Sequence, residues 1–216
     1  MMYCLKALLD YEFLVLHRQY HILRHFIYNG ILFITLFSIG FNSGDIVAEL
    51  RMLSGIIAII IGSLTIPIYI IKNDLSDGSL EYLISKFSVS DILLIKFIAL
   101  YFTLLLGVFV IIPIIYILCD FNFYQISYLM LASLLLLMQI TMIILVGNII
   151  YAYFRNNVNV IIAVILPLII PEFLLCEIGF YSLNYDIIWI LVGLNCFFVP
   201  LVFLLSRYLM SNIYQY

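Results

Sequence analysis

The sequence predicts an all-α integral membrane protein with six transmembrane helices and both termini in the cytoplasm. Three observations predict it. Of 216 residues, 67% are hydrophobic and 10% are charged, whereas soluble domains run about half apolar and a quarter charged. The apolar residues fall into six runs parted by short polar breaks. Lys and Arg then sort by side. Lys6, Arg18, Arg24, Lys72, Lys86, Lys96, Arg155 and Arg207 fall on one side of the spans, and Arg51 alone on the other. Basic residues stay inside, so the termini are expected inside. The whole chain, 1–216, then forms one permease-like membrane domain. A net charge of −3 with no basic stripe excludes nucleic acid as a partner.

The elements follow in order. Residues 1–25 mix an apolar helical stripe with Lys6, Asp10, Glu12 and Arg18, the pattern of a cytoplasmic interfacial helix lying on lipid. This polar start is not a cleavable signal peptide pattern. His17, His21 and His25 are four apart, so one helix would carry them on one face. That spacing also fits a haem or metal ladder, but no carboxylate or cysteine completes a ligand set. A stripe facing lipid headgroups is the expected role.

Span one is expected at 26–41, where Arg24 and His25 can snorkel. Span two is expected at 52–71. Within it Ser54, Ala58 and Gly62 are four apart and predict a face where another helix approaches closely. Spans three to six are expected at 98–118, 128–154, 160–176 and 187–206. Pro167 and Pro171 should break span five. Gln139 and Asn148 should bond neighbouring helices. Glu172, beside Pro171, is expected to reach the outer interface; a proton relay is the alternative reading. Cys119 and Cys176 both fall near the outer side and are expected as thiols, since nothing in the sequence fixes their separation.

No catalytic constellation is present, neither a P-loop nor a serine or zinc hydrolase motif. Energy must come from elsewhere. The one long polar interruption is 72–96, KNDLSDGSLEYLISKFSVSDILLIK. Asp74 or Ser76 can cap a short helix. Gly78 allows a bend or a close backbone approach. Leu80, Leu83, Ile84 and Phe87 recur at helical spacing, with Asp77 and Glu81 opposite. The stretch reads equally as an ordinary interfacial helix or as a docking element for a soluble partner.

Here the sequence resembles a family. The run Asp74-Leu75-Ser76-Asp77-Gly78-Ser79-Leu80-Glu81 is similar to the acidic segment after span two in ABC-2-like export permeases. It most resembles the CcmB family, the haem exporter membrane subunit of cytochrome c maturation. Ser54-Gly55-Ile56-Ile57 resembles the family's opening of span two, with Ser54 where a proline commonly stands. Leu166-Pro167-Leu168-Ile169-Ile170-Pro171 resembles its paired-proline segment. The resemblance implies an ABC-type permease subunit without catalytic residues, coupled through Asp74, Asp77, Gly78, Ser79, Leu80 and Glu81 to a separate CcmA-type ATPase. It also implies CcmC- and CcmD-type membrane partners, a homodimer and a bacterial inner membrane, with the mitochondrial inner membrane less favoured. No bound cofactor is expected; haem enters as the cargo of the complex, with ATP hydrolysis coupled either to haem delivery or to release of a haem-loaded chaperone. The alternatives are an export permease for a drug or lipid and a non-transporting scaffold. Co-purification of an ATPase excludes the scaffold, and loss of c-type cytochromes on deletion selects haem.

Overall fold

The computed structural model of the chain describes residues 2–18, 20–40, 46–64, 70–119, 121–153, 169–179 and 185–213. Every regular element among them is helical: α1 (Met2–Arg18), α2 (Ile22–Gly40), α3 (Ile46–Leu64), α4 (Ile70–Ser76), α5 (Ser79–Lys86), α6 (Val89–Cys119), α7 (Phe123–Tyr153), α8 (169–179) and α9 (Asp186–Ile213). Three stretches, Val89–Cys119, Phe123–Ala152 and Asp186–Asn212, are long and apolar enough to cross a membrane. Ile22–Phe37 and Leu53–Ser63 are shorter apolar helices. At 1.5 Å per residue, α6 is about 46 Å long, well beyond the ~30 Å of a hydrocarbon core.

Close packing holds the middle. Phe26 of α2 is fully buried between α3 and α6. A Cβ on Gly62 would lie 3.0 Å from the Phe26 carbonyl oxygen, and one on Gly107 would run into the Phe26 ring. Ser54 and Ala58 are buried along the same helix as Gly62. Only small residues at these points let the backbones come so near.

The two ends differ. At one end, Leu8, Ile71, Leu80, Leu83, Ile92 and Ile149 form an apolar cluster that brings α1, α4, α5 and the start of α6 against the end of α7. At the other end, Cys119 of α6 meets Ser54 of α3 at 3.9 Å. There the Tyr185 ring, just before α9, sits edge-on to Tyr128 near the start of α7, and Gly179 of α8 abuts the same Tyr128. α6 and α7 therefore run in opposite directions, whereas α7 and α9 both start at this second end and run the same way.

Several boundaries differ from the sequence reading. Residues 89–96 are the first turns of α6, because Ser88 caps that helix: its Oγ accepts the Asp91 N–H at 3.2 Å and donates to Asp91 Oδ2 at 2.7 Å. The polar segment proper is α4–α5. The histidines do not share a helix. α1 ends at Arg18, α2 begins at Ile22, and His21 between them has a left-handed φ of 48°. All three are exposed. Pro167 lies outside the described residues, and Pro171 lies within the described helical stretch 169–179.

Candidate functional site

The polar end is built around a buried lysine. Lys96, in the second turn of α6, is 4% exposed. Its Nζ donates to Glu12 Oε1 of α1 at 2.7 Å and to Asp74 Oδ2 of α4 at 2.6 Å. Glu12 is buried, and the Asp74 side chain is only 13% exposed. Removing charges from water is costly, so such a group persists only when each charge is paired and hydrogen-bonded. Two acids against one base tie three separate helices to one point. A cavity of about 10 Å³ lies beside it, lined by Glu12, Leu16, Lys96, Leu100 and Asn148.

Two further bonds seat α4. The Ile70 N–H, an orphan donor of its first turn, is accepted by Asn148 Oδ1 of α7 at 2.8 Å. The Asn73 amide donates to the Tyr20 hydroxyl at 3.2 Å, and burial raises the Tyr20 phenol above its ordinary pKa. Asn148 thus bonds a neighbouring helix, as its residue type suggests.

The turn between α4 and α5 needs glycine. Gly78 has φ 75°, and nothing lies within 4 Å of a Cβ built there. Backbone conformation therefore selects the residue, not a neighbour's bulk. Asp77 Oδ1 accepts the Ser79 N–H at 2.9 Å. That bond, with help from the Ser79 hydroxyl, holds the Asp77 carboxyl below its ordinary pKa. The Ser79 hydroxyl donates to the Asp74 carbonyl at 3.2 Å. α5 then buries Leu80 and Leu83 and exposes Glu81, Tyr82, Ser85 and Lys86. Lys86 also lies over the Tyr82 ring, 4.2 Å from its centroid.

The six residues singled out in this segment therefore take different places. Asp77 and Glu81 face outward. Gly78 and Ser79 form the turn. Leu80 is buried, and Asp74 points inward to Lys96. Sequence reasoning missed Lys96 and Glu12. Its one available signal was a charged residue on the apolar side of each helix.

A second polar cluster lies inside the bundle. Glu172 of α8 is 1% exposed, so it does not reach the outer interface as its neighbours in sequence suggested. Packing of α8 against α7 and α9 encloses it. Asn195 of α9 donates to Glu172 Oε1 at 2.8 Å, and the Gln139 amide of α7 touches both carboxyl oxygens. Cys119 and Cys176 are both buried and are not joined in a disulfide. Among the described residues no group of three His, Cys, Asp or Glu could hold a metal.

A family profile described as CcmB protein matches residues 4–197. The chain belongs to the CcmB family. CcmB proteins are heme exporter membrane subunits of c-type cytochrome biogenesis, and the apolar helices of this CcmB chain make it a membrane protein. It is 28% identical to the uncharacterized protein RP268 of Rickettsia prowazekii over 211 residues, 98% of each chain. It is 29% identical to the uncharacterized protein RC0356 of Rickettsia conorii over the same length and share. No solved structure matches.

Proposed function

We propose that this CcmB chain is the permease subunit of an ABC-type haem export and cytochrome c maturation complex in a bacterial inner membrane. Its ATPase is a separate, CcmA-type protein. CcmC- and CcmD-type proteins and a second copy of this chain complete the assembly, and haem is its cargo. In this reading the chain crosses the membrane six times with both termini in the cytoplasm, and α4–α5 faces the ATPase. One observation carries the coupling role. α4–α5 is fixed to the bundle by the buried Asp74–Lys96–Glu12 group, while Asp77 and Glu81 stand in water on its outer side. A segment held this way can pass a push from a docked protein into α6 and α1 without unfolding. Hydrolysis on a partner must be felt through some such contact, since this chain has no nucleotide motif.

The test is a detergent pull-down of the ATPase with Asp77→Lys plus Glu81→Lys, beside a check of membrane insertion. Loss of the ATPase and of c-type cytochromes is expected. Retention of both at wild-type level removes the coupling role. Reporter fusions at Tyr3 and Tyr216 should read cytoplasmic, and one after Asn122 external.

A further inference from the structure

Glu172 lies deep between helices. Gln139, which touches it, is close to the midpoint of the 31-residue α7. Asn195, its other partner, is nine residues into the 28-residue α9. All three side chains are at least 97% buried. An ionisable residue facing the bundle interior at this depth is costly to keep and marks a functional site by default.

The chemistry around it is specific. α7 and α9 present amides there, Gln139 and Asn195, which do not titrate. On α8 itself the one titratable neighbour is the Cys176 thiol, a helical turn along. Among the described residues no lysine, arginine or histidine pairs with Glu172. The contrast with Lys96, which holds two acids, is plain. Asn195 also carries an acceptor, Oδ1, that is buried without a hydrogen-bond partner among the described residues. A buried oxygen lacking a donor is expensive, and a carboxyl hydroxyl is the nearby group that can supply one.

We propose that Glu172, Gln139 and Asn195 form an intramembrane proton-binding site. A proton from water adds to the Glu172 carboxylate and gives the neutral acid. The acid's O–H then donates to an amide oxygen, which Asn195 Oδ1 or a turned Gln139 supplies. When the proton leaves, the carboxylate accepts N–H groups from both amides. The two amides thus satisfy either charge state by rotating, with no change of helix position. Both amides contact the carboxyl directly.

The test is infrared difference spectroscopy of the full-length protein in lipid, titrated with alkali. The wild type should show a protonated-carboxyl carbonyl band that shifts in heavy water and fades at alkaline pH. Glu172→Gln, close in shape and able to keep amide contacts, should lack it. Asn195→Leu should move the pH at which the band is lost, which a mere packing role would not do. Coincident wild-type and Glu172→Gln spectra at every pH overturn the proposal. So does a band displaced by sodium at fixed pH, and so does an Asn195→Leu protein that titrates as wild type. ATPase pull-down is a separate readout and leaves this site untouched.

Discussion

Lys96 Nζ lies 2.7 Å from Glu12 Oε1, joining side chains 84 residues apart. Asp74 shares the same ammonium at 2.6 Å. Lys96→Met strands two buried carboxylates and should cost ~3–5 kcal/mol. Replacing all three at once, with Glu12→Met and Asp74→Leu added, should restore most of that stability, since apolar groups of similar volume substitute well for a buried pair. Thermal unfolding in detergent reads both. A Lys96→Met protein as stable as wild type would show that the pair does not hold α1 and α4.

Asn148→Ala removes the acceptor of the Ile70 N–H. The loss of such a helix cap costs about 0.5–2 kcal/mol. Amide exchange over residues 70–76 should quicken, while exchange in the interior of α7 stays slow. Unchanged exchange in α4 would place the cap elsewhere.

Gly78 stands at φ 75°, so side chains differ there by backbone preference. Gly78→Asn should be tolerated. Gly78→Val should cost ~1–3 kcal/mol and loosen 77–86 to amide exchange. A lost partner in Gly78→Val therefore reports a damaged turn. Asp77→Lys also removes the acceptor of the Ser79 N–H, so the double change to Lys is read beside Asp77→Asn, which keeps that acceptor. Glu81 is exposed, and Glu81→Lys alone should stay within about 0.5 kcal/mol of wild-type stability.

Asp77 gives a pH signature. The Ser79 N–H favours its ionised form, so the carboxyl titrates below the ordinary value when folded. The bond therefore stabilises the turn fully above the ordinary carboxylate value. That contribution is lost as pH falls through the lowered, folded value. Exchange of the Ser79 amide should speed up across that acidic window beyond the intrinsic trend. Asp77→Asn keeps an acceptor without a titration and should remove the step.

Gly62→Leu forces a side chain against the Phe26 backbone, where even a Cβ lies at 3.0 Å. Overpacking of this kind costs ~1–3 kcal/mol. A lower melting temperature in detergent is expected, and Gly107→Leu should do the same.

The all-helical, membrane-embedded character was legible, because composition leaves few choices for a chain this apolar. The outward places of Asp77 and Glu81 were legible from helical spacing against Leu80 and Leu83. Lys96 was not. Sequence sorts a lysine by side of the membrane, and its burial depends on Glu12 and Asp74, which reach it only after three helices pack. Glu172 was misplaced for a related reason. Its depth was judged from nearby Pro171 and an assumed span end, whereas α7 and α9 set it. The histidine stripe failed at His21, whose left-handed backbone separates two helices that the spacing had joined. Gly107 drew no notice, because a single glycine in an apolar run does not announce the ring that will fill its place.

α6 runs from Val89, beside α5, to Cys119, beside Ser54, with Pro113 inside its far third. Near its middle it is gripped at Gly107, where the Phe26 ring leaves no room for slip. From Gly107 to Lys96 is about 16 Å along the axis, and from Gly107 to Cys119 about 18 Å. The inner arm, from Lys96 to Gly107, holds no proline and can turn about that grip as one lever. The outer arm carries Pro113, which removes a backbone hydrogen bond and gives the helix a place to bend. A sideways shift at Lys96 therefore reaches the Cys119 tip through a single element with one built-in joint and no loop in the linkage.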